Sequence, residues 1–357
     1  MQSHAVRCMN IGYSADMAEI GIIGASGYTG AELLRICAGH PELDVRFATG
    51  DSQAGTAIGD LYPSLAPAYP GRGFVTWDPS LLDGVDGVFL GLPHGASQSL
   101  MAEVLASGVK VVDLGADFRL PDATTYEQWY GEPHTCPELL DRFVYGVPEL
   151  HRKAISASDA VANPGCYPTA ASLAMVPFVE AGLLDTSAVV VNAVSGVSGA
   201  GRPPKPNTTF CAVDEDVSAY GLLSHRHTAE MEMNLGATVL FTPHLVPMNR
   251  GILATCTARP ADPGVRVDTD ALLATMDSFY EGEPFVVVSD RSPSTKATLG
   301  TNAIHMTARW DQRTSSVLAI AAIDNLGKGA SSAAVQNMNL MLGLDETSGL
   351  AVAGLYP

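Results

Sequence analysis

The sequence is short of positive charge, and this shortage limits the partners it can have. Its 357 residues include 20 Lys and Arg against 38 Asp and Glu, so the formal net charge is −18. A protein of that charge repels nucleic-acid phosphates and anionic membrane surfaces, and its few basic residues are not clustered. We therefore expect a protein that binds neither nucleic acid nor membranes.

Long apolar runs are also missing from the sequence. No continuously apolar stretch approaches the roughly 18 residues that a membrane-spanning helix requires. Residues 1–19 lack the cationic start and the continuous apolar stretch of a secretory signal. We therefore expect a cytoplasmic protein, and the chain length indicates two domains or one large domain.

Closely spaced cysteine pairs are absent as well. Because zinc sites and redox dithiols usually depend on such pairs, we expect neither in this chain. The cysteines should be reduced thiols, most of them buried, and at most one should have a chemical role. They are Cys8, Cys37, Cys136, Cys166, Cys211 and Cys256.

Short apolar stretches alternate with helical patterns in the first part of the chain. Strands are predicted at residues 18–24, 44–48, 87–90 and 109–114, with helices near 28–39 and 97–107. This alternation is typical of an α/β fold with a parallel, doubly wound sheet.

The pattern changes after about residue 160, where the strands no longer alternate with helices. Further strands are predicted at residues 188–194, 238–241, 251–257, 285–289, 303–310 and 316–323. The last two flank the short polar turn 311–314 and predict an antiparallel hairpin. We expect a second, α+β domain with an antiparallel-rich sheet. A final helix at 330–342 should end at Gly343 and pack back on the first domain.

A glycine-rich turn follows the first predicted strand and opens the first helix. It consists of Gly24, Ala25, Ser26, Gly27, Tyr28, Thr29 and Gly30, with GxxGxxG spacing. Glycines let the backbone approach a pyrophosphate, and the helix N-terminus favours its charge. The turn predicts a dinucleotide site, and the alternative is a tight turn without a ligand. Asp51 either binds the ribose of NAD or lies in a solvated loop.

Cys166 lies on a turn before an apolar helical stretch at residues 170–179. Pro168 suits the first turn of that helix, so we expect Cys166 at the helix N-terminus. Backbone N–H groups there lower the pKa of a thiol and can stabilise an oxyanion on a carbonyl that the sulfur attacks. We interpret Cys166 as a nucleophile, and the alternative is a buried structural cysteine.

Two histidines, His225 and His227, precede a short helical stretch at residues 229–235. Histidine can accept a proton from a thiol and donate one to a developing alkoxide. The alternatives are a zinc site, for which no third ligand has suitable local spacing, and a structural role. Thr228 is predicted to cap the helix, which leaves His225 in the incoming loop as the first candidate for acid–base chemistry.

Two further segments are candidates for anion binding. Residues 195–202 form a polar, glycine-rich loop after a strand, where N–H groups and Arg202 can bind an anion. Residues 117–119 contain Arg119. The alternatives are a flexible linker for the loop and a surface or interdomain ion pair for Arg119.

Eight motifs occur along the chain in a fixed order. They are GIIGASGYTGAELLR (21–35), GLPHG (91–95), DLGADFRL (113–120), YGVPEL (145–150), ANPGCYPTA (162–170), AVSGVSGAGR (193–202), HRHTAE (225–230) and IDNLGKGA (323–330). With this set the chain resembles the N-acetyl-γ-glutamyl-phosphate reductases (type 1) of arginine biosynthesis, which are related to aspartate-semialdehyde dehydrogenases. The resemblance covers about residues 18–345.

The resemblance implies a fold, a cofactor and an assembly. It implies a Rossmann-type NADP-binding domain formed by residues 1–164 and 325–357, and an α+β catalytic and dimerisation domain at 165–324. It also implies NADPH as cofactor, no metal, an acyl phosphate as small-molecule substrate, and a homodimer or homotetramer.

The resemblance also implies roles for individual residues. Cys166 would form a thioester with the γ-carbonyl of the substrate, His225 would manage the proton, and NADPH would reduce the thioester to the semialdehyde. Residues that would bind substrate or phosphate are His227, Ser195 and Asn163, together with Arg119 and Arg202, which only their positive charge supports individually. Residues that would lie along the cofactor, besides the glycine turn, are Ser52, Gln53, Leu92, Pro93, His94, Ser198, Gly199, Asn325 and Gly327.

Two other interpretations stay open at this point. The substrate could be another acyl phosphate, of the aminoadipyl or aspartyl type. The chain could also be a nucleotide-sensing protein that has lost catalysis, although a sensor has no need of a thiol such as Cys166 on a helix N-terminus. Phosphate-dependent oxidation of N-acetylglutamate semialdehyde with NADP separates an enzyme from a sensor.

Loop 49–55 generates a prediction about coenzyme choice. Members of the family usually carry a Ser-Arg pair here that suits the 2′-phosphate, whereas this chain has Ser52 and Gln53 without the arginine. Because Ser, Gln and backbone N–H groups can hold a phosphate, we expect NADPH to be preferred over NADH. Measured kcat/KM values for both cofactors test this, and an NADH preference of about tenfold would contradict it.

Overall fold

The structure, a computed structural model, describes residues 17–262, 264 and 267–356. The expectations for Cys8 and for residues 1–16 lie outside the described residues. The strands are β1 (Ala18–Ile23), β2 (Leu43–Ala48), β3 (Gly87–Leu90), β4 (Lys110–Asp113), β5 (Val144–Tyr145), β6 (Ala160–Ala162), β7 (Val189–Gly196), β8 (Ser218–Ala219), β9 (Val239–Val246), β10 (Ile252–Ala258), β11 (Val286–Val288), β12 (Ile304–Asp311) and β13 (Ser316–Ile323). The helices are α1 (Tyr28–Cys37), α2 (Ile58–Leu61), α3 (Ala96–Ala106), α4 (Ala123–Tyr130), α5 (Pro148–Ser156), α6 (Cys166–Glu180), α7 (Phe210–Val213), α8 (His227–Leu235), α9 (Thr269–Phe279) and α10 (Ser332–Leu342).

A parallel sheet forms the first part of the molecule. Its six strands lie in the order β2-β1-β3-β4-β6-β5, and every pairing between them is parallel. β3 and β6 are buried throughout, as strands covered on both faces must be. The predicted doubly wound α/β sheet is confirmed. β5 and β6 were not predicted, because two and three residues are too short for a periodic pattern.

A mixed sheet of seven strands forms the second part, in the order β11-β12-β13-β10-β7-β9-β8. β10 pairs antiparallel with β7 and β13, and β12 and β13 form the predicted antiparallel hairpin. Only the β7–β9 and β11–β12 pairings are parallel among the described strands of this sheet. Helices α6, α8 and α9 pack on the sheet. The expected α+β domain with an antiparallel-rich sheet is confirmed.

The last helix packs on the first sheet. Ala334, Val335 and Met338 of α10 share a buried cluster with Ile20 and Ile22 of β1. A single wide turn, Gly327–Ser331, precedes α10, which therefore begins two residues later than predicted. The helix ends at Gly343, whose φ of +71° is the left-handed conformation that glycine adopts most easily.

Five loops meet along one edge of the parallel sheet. The residues that follow β1, β2, β3, β4 and β6 are Gly24, Thr49, Gly91, Leu114 and Asn163. In open α/β sheets, ligands bind at the carboxyl ends of the strands. Helix α6 starts at this edge and packs on β10 and β13 of the second sheet. Its first residue, Cys166, therefore lies where the two sheets meet.

No helix within residues 17–262 and 267–356 is long and apolar enough to cross a bilayer.

The thiols of Cys37, Cys136 and Cys256 are free and buried, as expected for most cysteines. Cys211 is the exception, because it is free and exposed.

Candidate active site

Cys166 is the first residue of α6, at the helix N-terminus that the sequence predicts. Burial raises the pKa of its thiol to about 11, although the charge of Arg119 and the N–H groups of Tyr167 and Cys166 lower it. The predicted low pKa is therefore wrong for this structure. The free-energy cost of removing a thiolate from water is larger than the stabilisation that the helix N-terminus and one nearby cation provide.

Glu230 of α8 holds the turn before Cys166 in place. Its carboxylate accepts hydrogen bonds from the N–H of Gly165 at 2.9 Å, the hydroxyl of Tyr145 at 2.7 Å and the guanidinium of Arg119 at 3.1 Å. The carboxylate is fully buried, and a buried charge is stable only when it is paired and hydrogen-bonded. One side chain thus joins the second domain to two segments of the first.

Both histidines lie beside this turn. Nε2 of His227 is 2.6 Å from the position that a Cβ on Gly165 would take, so a side chain at this position would displace the imidazole. The ring of His225 lies 4.7 Å from the ring of His227 and 5.8 Å from that of Tyr167, measured between centroids. The tertiary structure therefore places the two imidazoles against the residues on either side of Cys166.

The start of α8 differs from the sequence prediction. The helix begins at His227, and Thr228 lies inside its first turn, where its N–H donates to the carbonyl of His225 at 3.0 Å. Thr228 is therefore not the cap. The N–H of His227 donates instead to Nδ1 of His225 at 3.2 Å, so the side chain before the helix satisfies one of its open donors.

This contact decides which nitrogen of His225 carries the proton. A neutral imidazole that accepts a hydrogen bond at Nδ1 holds its proton on Nε2. His225 therefore presents a donor to its surroundings. That geometry suits donation to an oxygen and disfavours the predicted role of accepting the proton of Cys166.

Burial keeps both imidazoles neutral near pH 7. Burial, and to a smaller extent the charge of Arg226, lowers the pKa of His225 to about 4. Burial also lowers the pKa of His227 well below its usual range, with added contributions from His225, Arg119 and Arg226. The site therefore holds a neutral thiol and neutral imidazoles, and a proton must move when the sulfur attacks.

The segment after β13 packs directly against the nucleophile. A Cβ on Gly329 would lie 2.8 Å from the Cβ of Cys166, so the backbone here approaches as closely as glycine permits. Gly329 belongs to the wide turn Gly327–Ser331, a π-type turn, and such turns occur frequently at functional sites.

Three residues predicted to contact the cofactor come together on the other side of this segment. Nδ2 of Asn325 donates to the hydroxyl of Ser198 at 2.9 Å, and Gly199 lies beside the same amide. Oδ1 of Asn325 accepts from the N–H of Gly251 at 2.7 Å. The strands β7, β10 and β13 thus converge on the expected nicotinamide side of the site.

The glycine turn has the shape that a dinucleotide requires. Gly24 has φ +83°, and a Cβ on it would lie 2.6 Å from the carbonyl oxygen of Gly91. A Cβ on Gly30 would overlap the backbone of Ala25. Gly27 caps α1 without a side chain, and the first turn of α1 has no acidic residue. The helix N-terminus is therefore open to a pyrophosphate.

The loop after β2 is bonded to the glycine turn. Thr49 accepts from the N–H of Gly24 through its hydroxyl at 3.0 Å and from the N–H of Ala25 through its carbonyl at 2.8 Å. The short turn Asp51–Gln53, which contains Ser52, follows immediately. The side chain of Leu92 approaches Gly24 from the loop after β3. Thr49 and Leu92 therefore contact the glycine turn, and the cofactor contacts of Ser52, Gln53 and Leu92 stay predictions.

His94 has partners within the first domain. Its Nδ1 lies 2.8 Å from a carboxylate oxygen of Asp117, and its Nε2 lies 2.9 Å from one of Glu132. Its ring stacks on Tyr130 at 4.7 Å. These contacts fasten the loop that contains Pro93 and His94 to α4, and a cofactor contact for the two residues stays a prediction.

The predicted anion-binding residues lie in different surroundings. Arg119 is buried beside Cys166 and paired with Glu230, so the interdomain ion pair considered as its alternative is present. The buried hydroxyl of Ser195 donates to the carbonyl of Gly196 at 3.0 Å and lies near the phenol of Tyr167, the residue that follows the nucleophile. Arg202 lies near enough to Tyr62 for its positive charge to lower the pKa of that phenol. Burial has the larger effect and raises the pKa of Tyr62 above its usual value.

Asn163 is tied to the C-terminal segment. Its Nδ2 donates to the carbonyl of Ala330 at 3.1 Å, and its Oδ1 accepts from Asn337 at 3.1 Å. The carboxamide is therefore used within the protein. This favours a structural role for Asn163 over the predicted contact with substrate.

Sequence reasoning missed Glu230, the residue with the most connections in the site. It lies three residues after His227 in the HRHTAE motif, so both side chains share one helix face, and Nε2 of His227 is 4.0 Å from its carboxylate. That spacing is the signal that could have found it. Its partners Tyr145 and Arg119 are far away in sequence, and only the fold brings them close.

Comparison with known proteins identifies the family. Sequence profiles described as the NAD binding domain and the dimerisation domain of semialdehyde dehydrogenases match residues 19–158 and 166–325. An N-acetyl-gamma-glutamyl-phosphate reductase of Desulforudis audaxviator is 48% identical over 350 residues, which cover 96% of this chain and 100% of that protein. One from Pseudomonas putida is 44% identical over 349 residues, with the same coverage. The chain belongs to the N-acetyl-gamma-glutamyl-phosphate reductase family.

Solved structures share the fold of this family member at low sequence identity. The aspartate semialdehyde dehydrogenase of Candida albicans, solved with NADP, has a TM-score of 0.70 at 13% identity. Aspartate semialdehyde dehydrogenase II of Vibrio cholerae has a TM-score of 0.66 at 18% identity. Each match covers 92% of this chain and 99% of the other.

In this member of the reductase family, the rate at which Cys166 is alkylated should rise continuously as the pH is raised. The rate should not reach a plateau near neutral pH. The thiol pKa of Cys166 is about 11, so the reactive thiolate fraction rises about tenfold per pH unit below that value. Iodoacetamide rates between about pH 6 and about pH 10 test this. The background is Cys211→Ser, since the exposed Cys211 would also react. A constant rate near neutral pH would reveal a thiolate–imidazolium pair and contradict the prediction.

The two histidines should respond differently to substitution. His225→Asn keeps a donor and should retain more activity than His225→Ala, because the proposed role is donation. His227→Asn removes the neighbouring base and should lower kcat by about 10²–10⁴. Steady-state kcat and KM for the three variants provide the comparison. If His225→Asn and His225→Ala lose activity equally while His227→Asn changes only KM, the roles are reversed.

Proposed function

We propose that this chain uses NADPH to reduce N-acetyl-L-glutamyl 5-phosphate to N-acetyl-L-glutamate 5-semialdehyde and phosphate, in arginine biosynthesis. The observation that carries the proposal is Cys166 at the start of α6, beside two neutral imidazoles and Arg119, at the edge where the glycine turn opens. Relatives that are 44–48% identical along almost the whole chain bear the reductase name.

The first step is acyl transfer to sulfur. Sγ of Cys166 bonds to the 5-carbonyl carbon of the substrate, the C–O bond to phosphate breaks, and phosphate leaves with the bonding electrons. The thiol proton passes to His227, which lies against the peptide before Cys166. The N–H groups at the start of α6 and Nε2–H of His225 bond the carbonyl oxygen as negative charge develops on it.

The second step reverses these roles. When bound, NADPH would supply the hydride that the thioester carbon accepts. When the carbonyl forms again, the C–S bond breaks, the aldehyde leaves, and the sulfur recovers its proton from His227. One proton from solvent completes the hydrogen phosphate, so the chain returns to a neutral thiol and neutral imidazoles.

The cofactor would be held by loops at the carboxyl edge of the parallel sheet. The turn Gly24–Gly30 suits the pyrophosphate, Ser52 and Gln53 suit the adenosine phosphate, and Asn325 with Ser198 lies on the nicotinamide side. The narrow approaches at Gly24 and Gly30 support this assignment, because any side chain there would close the turn.

The substrate anions would be bound on both sides of the nucleophile. Arg119 is buried next to Cys166 and keeps a buried Nε without a partner among the described residues, which suits a phosphate or carboxylate oxygen. Ser195 lies at the end of β7 beside Tyr167. Arg202 lies further towards the glycine turn, and we assign it to phosphate on that side.

We further propose that the chain forms a homodimer or homotetramer through its second sheet. α6, α8 and α9 pack against one face of that sheet. The side chains that alternate with the buried ones along its strands include the partly exposed Leu240, Leu253, Leu318 and Ile320. A second copy would cover this apolar surface, in agreement with the dimerisation domain matched by residues 166–325. Sedimentation of the purified chain measures the assembly.

The division into domains and the location of the protein are also proposals. Residues 1–164 and 325–357 would form the cofactor domain and residues 165–324 the catalytic domain. The return of α10 to the first sheet supports this division. We propose a cytoplasmic location, and the net charge of −18 supports a protein that does not bind nucleic acid or anionic membranes.

Cys166→Ala should abolish reduction while NADPH binding survives. The substitution removes the nucleophile, whereas the glycine turn belongs to another loop and is left intact. Reductase turnover and NADPH binding by fluorescence measure the two effects separately. Cys256→Ala, which removes a buried thiol of the second sheet, is the matched control and should keep turnover. Near wild-type turnover of Cys166→Ala would end the thioester mechanism.

Substrate profiling separates this function from the nearest alternative. N-acetylglutamyl, aminoadipyl and aspartyl phosphates differ in chain length and in the group on the amino nitrogen. The proposal expects the highest kcat/KM with the N-acetylglutamyl compound. A higher value with either of the others would reassign the substrate and leave the cysteine mechanism in place.

A further inference from the structure

Arg250 links the two domains behind the cofactor edge. It lies in the turn between β9 and β10, and its guanidinium forms two bonds to Glu32 of α1, at 2.9 and 2.7 Å. The side chain of Glu32 is only 2% exposed, so the carboxylate of this bidentate pair is largely shielded from solvent. The helix that the pair holds is the one that begins at the glycine turn.

The same guanidinium reaches the segment that carries Asn325. Nη1 of Arg250 lies 3.4 Å from Oδ2 of Asp324. Oδ1 of Asp324 accepts the N–H groups of Leu326 and Gly327 at 2.9 and 3.1 Å. Asp324 therefore shapes the turn that follows it, and Arg250 fixes Asp324 relative to α1.

The backbone around Arg250 also holds the loop after β7. The N–H of Ser198 donates to the carbonyl of Asn249 at 3.2 Å. The N–H of Gly196 donates to the carbonyl of Gly251 at 2.9 Å. The N–H of Gly251 in turn donates to Asn325. The five-residue turn 247–251 thus positions both segments on the nicotinamide side, while its arginine holds the helix on the pyrophosphate side.

Arg250 is not needed to satisfy Glu32 within its own helix. Arg35, three residues further on, already bonds both carboxylate oxygens at 3.0 and 2.8 Å. Burial alone would raise the pKa of Glu32, yet the two arginines lower it to about 2, so the carboxylate stays charged at any working pH. The bond to Arg250 is an additional one, and it is the one that crosses between domains.

We propose that Arg250 and Glu32 are positioning residues that fix the nicotinamide side of the cofactor site relative to its pyrophosphate side. The inference rests on the proposed function, since it concerns hydride transfer to the thioester. A dinucleotide spans both sides, so a shift between them misaligns the hydride donor without altering either side alone. Misplacement by about 1 Å can cost about a hundredfold in rate.

The test compares Arg250→Met with Arg35→Met, which removes the local partner of Glu32 and leaves the interdomain bond. Three quantities are measured: single-turnover hydride transfer, affinity for NADPH and for its 2′-phospho-ADP-ribose fragment, and the alkylation rate of Cys166. Arg250→Met should slow hydride transfer by at least about tenfold and increase the isotope effect with NADPH deuterated at the transferred position. It should weaken binding of NADPH more than binding of the fragment and leave alkylation unchanged. Arg250→Lys, which can form one bond, should recover part of the rate.

Other outcomes overturn the proposal. Equal losses in Arg250→Met and Arg35→Met, or slower alkylation in step with slower hydride transfer, would indicate general destabilisation. Wild-type hydride transfer in Arg250→Met would remove the role altogether. If the wild-type chain binds NADPH but does not reduce the acyl phosphate, the proposed function fails. The comparison of NADPH with its fragment still decides the positioning role in that case.

Discussion

The site depends on one buried carboxylate, that of Glu230. It belongs to α8 of the second domain, yet its three bonds are to Arg119 and Tyr145 of the first and to the N–H of Gly165, beside the nucleophile. Removal of any partner would leave a charge or a polar group unsatisfied in a low-dielectric interior. The packing of α8 against the first domain and the direction of α6 at Cys166 are therefore coupled.

The second constraint is electrical neutrality around the nucleophile. Burial raises the pKa of Cys166 to about 11 and lowers that of His225 to about 4, so neither group is charged near pH 7. An acyl phosphate brings negative charge into such a site, and a pre-formed thiolate would repel it. A neutral thiol that loses its proton only as the sulfur attacks avoids this repulsion. In the proposed mechanism, Arg119 supplies the positive charge that the incoming anion needs.

The cofactor edge depends on close approach rather than on charge. Gly24, Gly30 and Gly329 lie where a single added carbon would meet backbone or the nucleophile itself. The parallel sheet places the glycine turn at one end of this edge, and the mixed sheet places Asn325 and Ser198 at the other. Hydride transfer needs both ends correctly placed relative to each other, and the bond from Arg250 to Glu32 is a direct side-chain link between them that supports the proposed positioning role.

The sequence by itself determined the parallel and the mixed sheet, the position of Cys166 at a helix start and the dinucleotide turn. Each of these follows from local periodicity or from a turn with its own residue requirements. The short strands β5 and β6, the high thiol pKa and the proton position on His225 were decided only by the tertiary structure. So were the roles of Glu230 and Arg250. A pKa depends on desolvation, and a buried ion pair depends on residues 111 or 218 positions apart in the chain. No local pattern encodes which distant side chains will share one buried space.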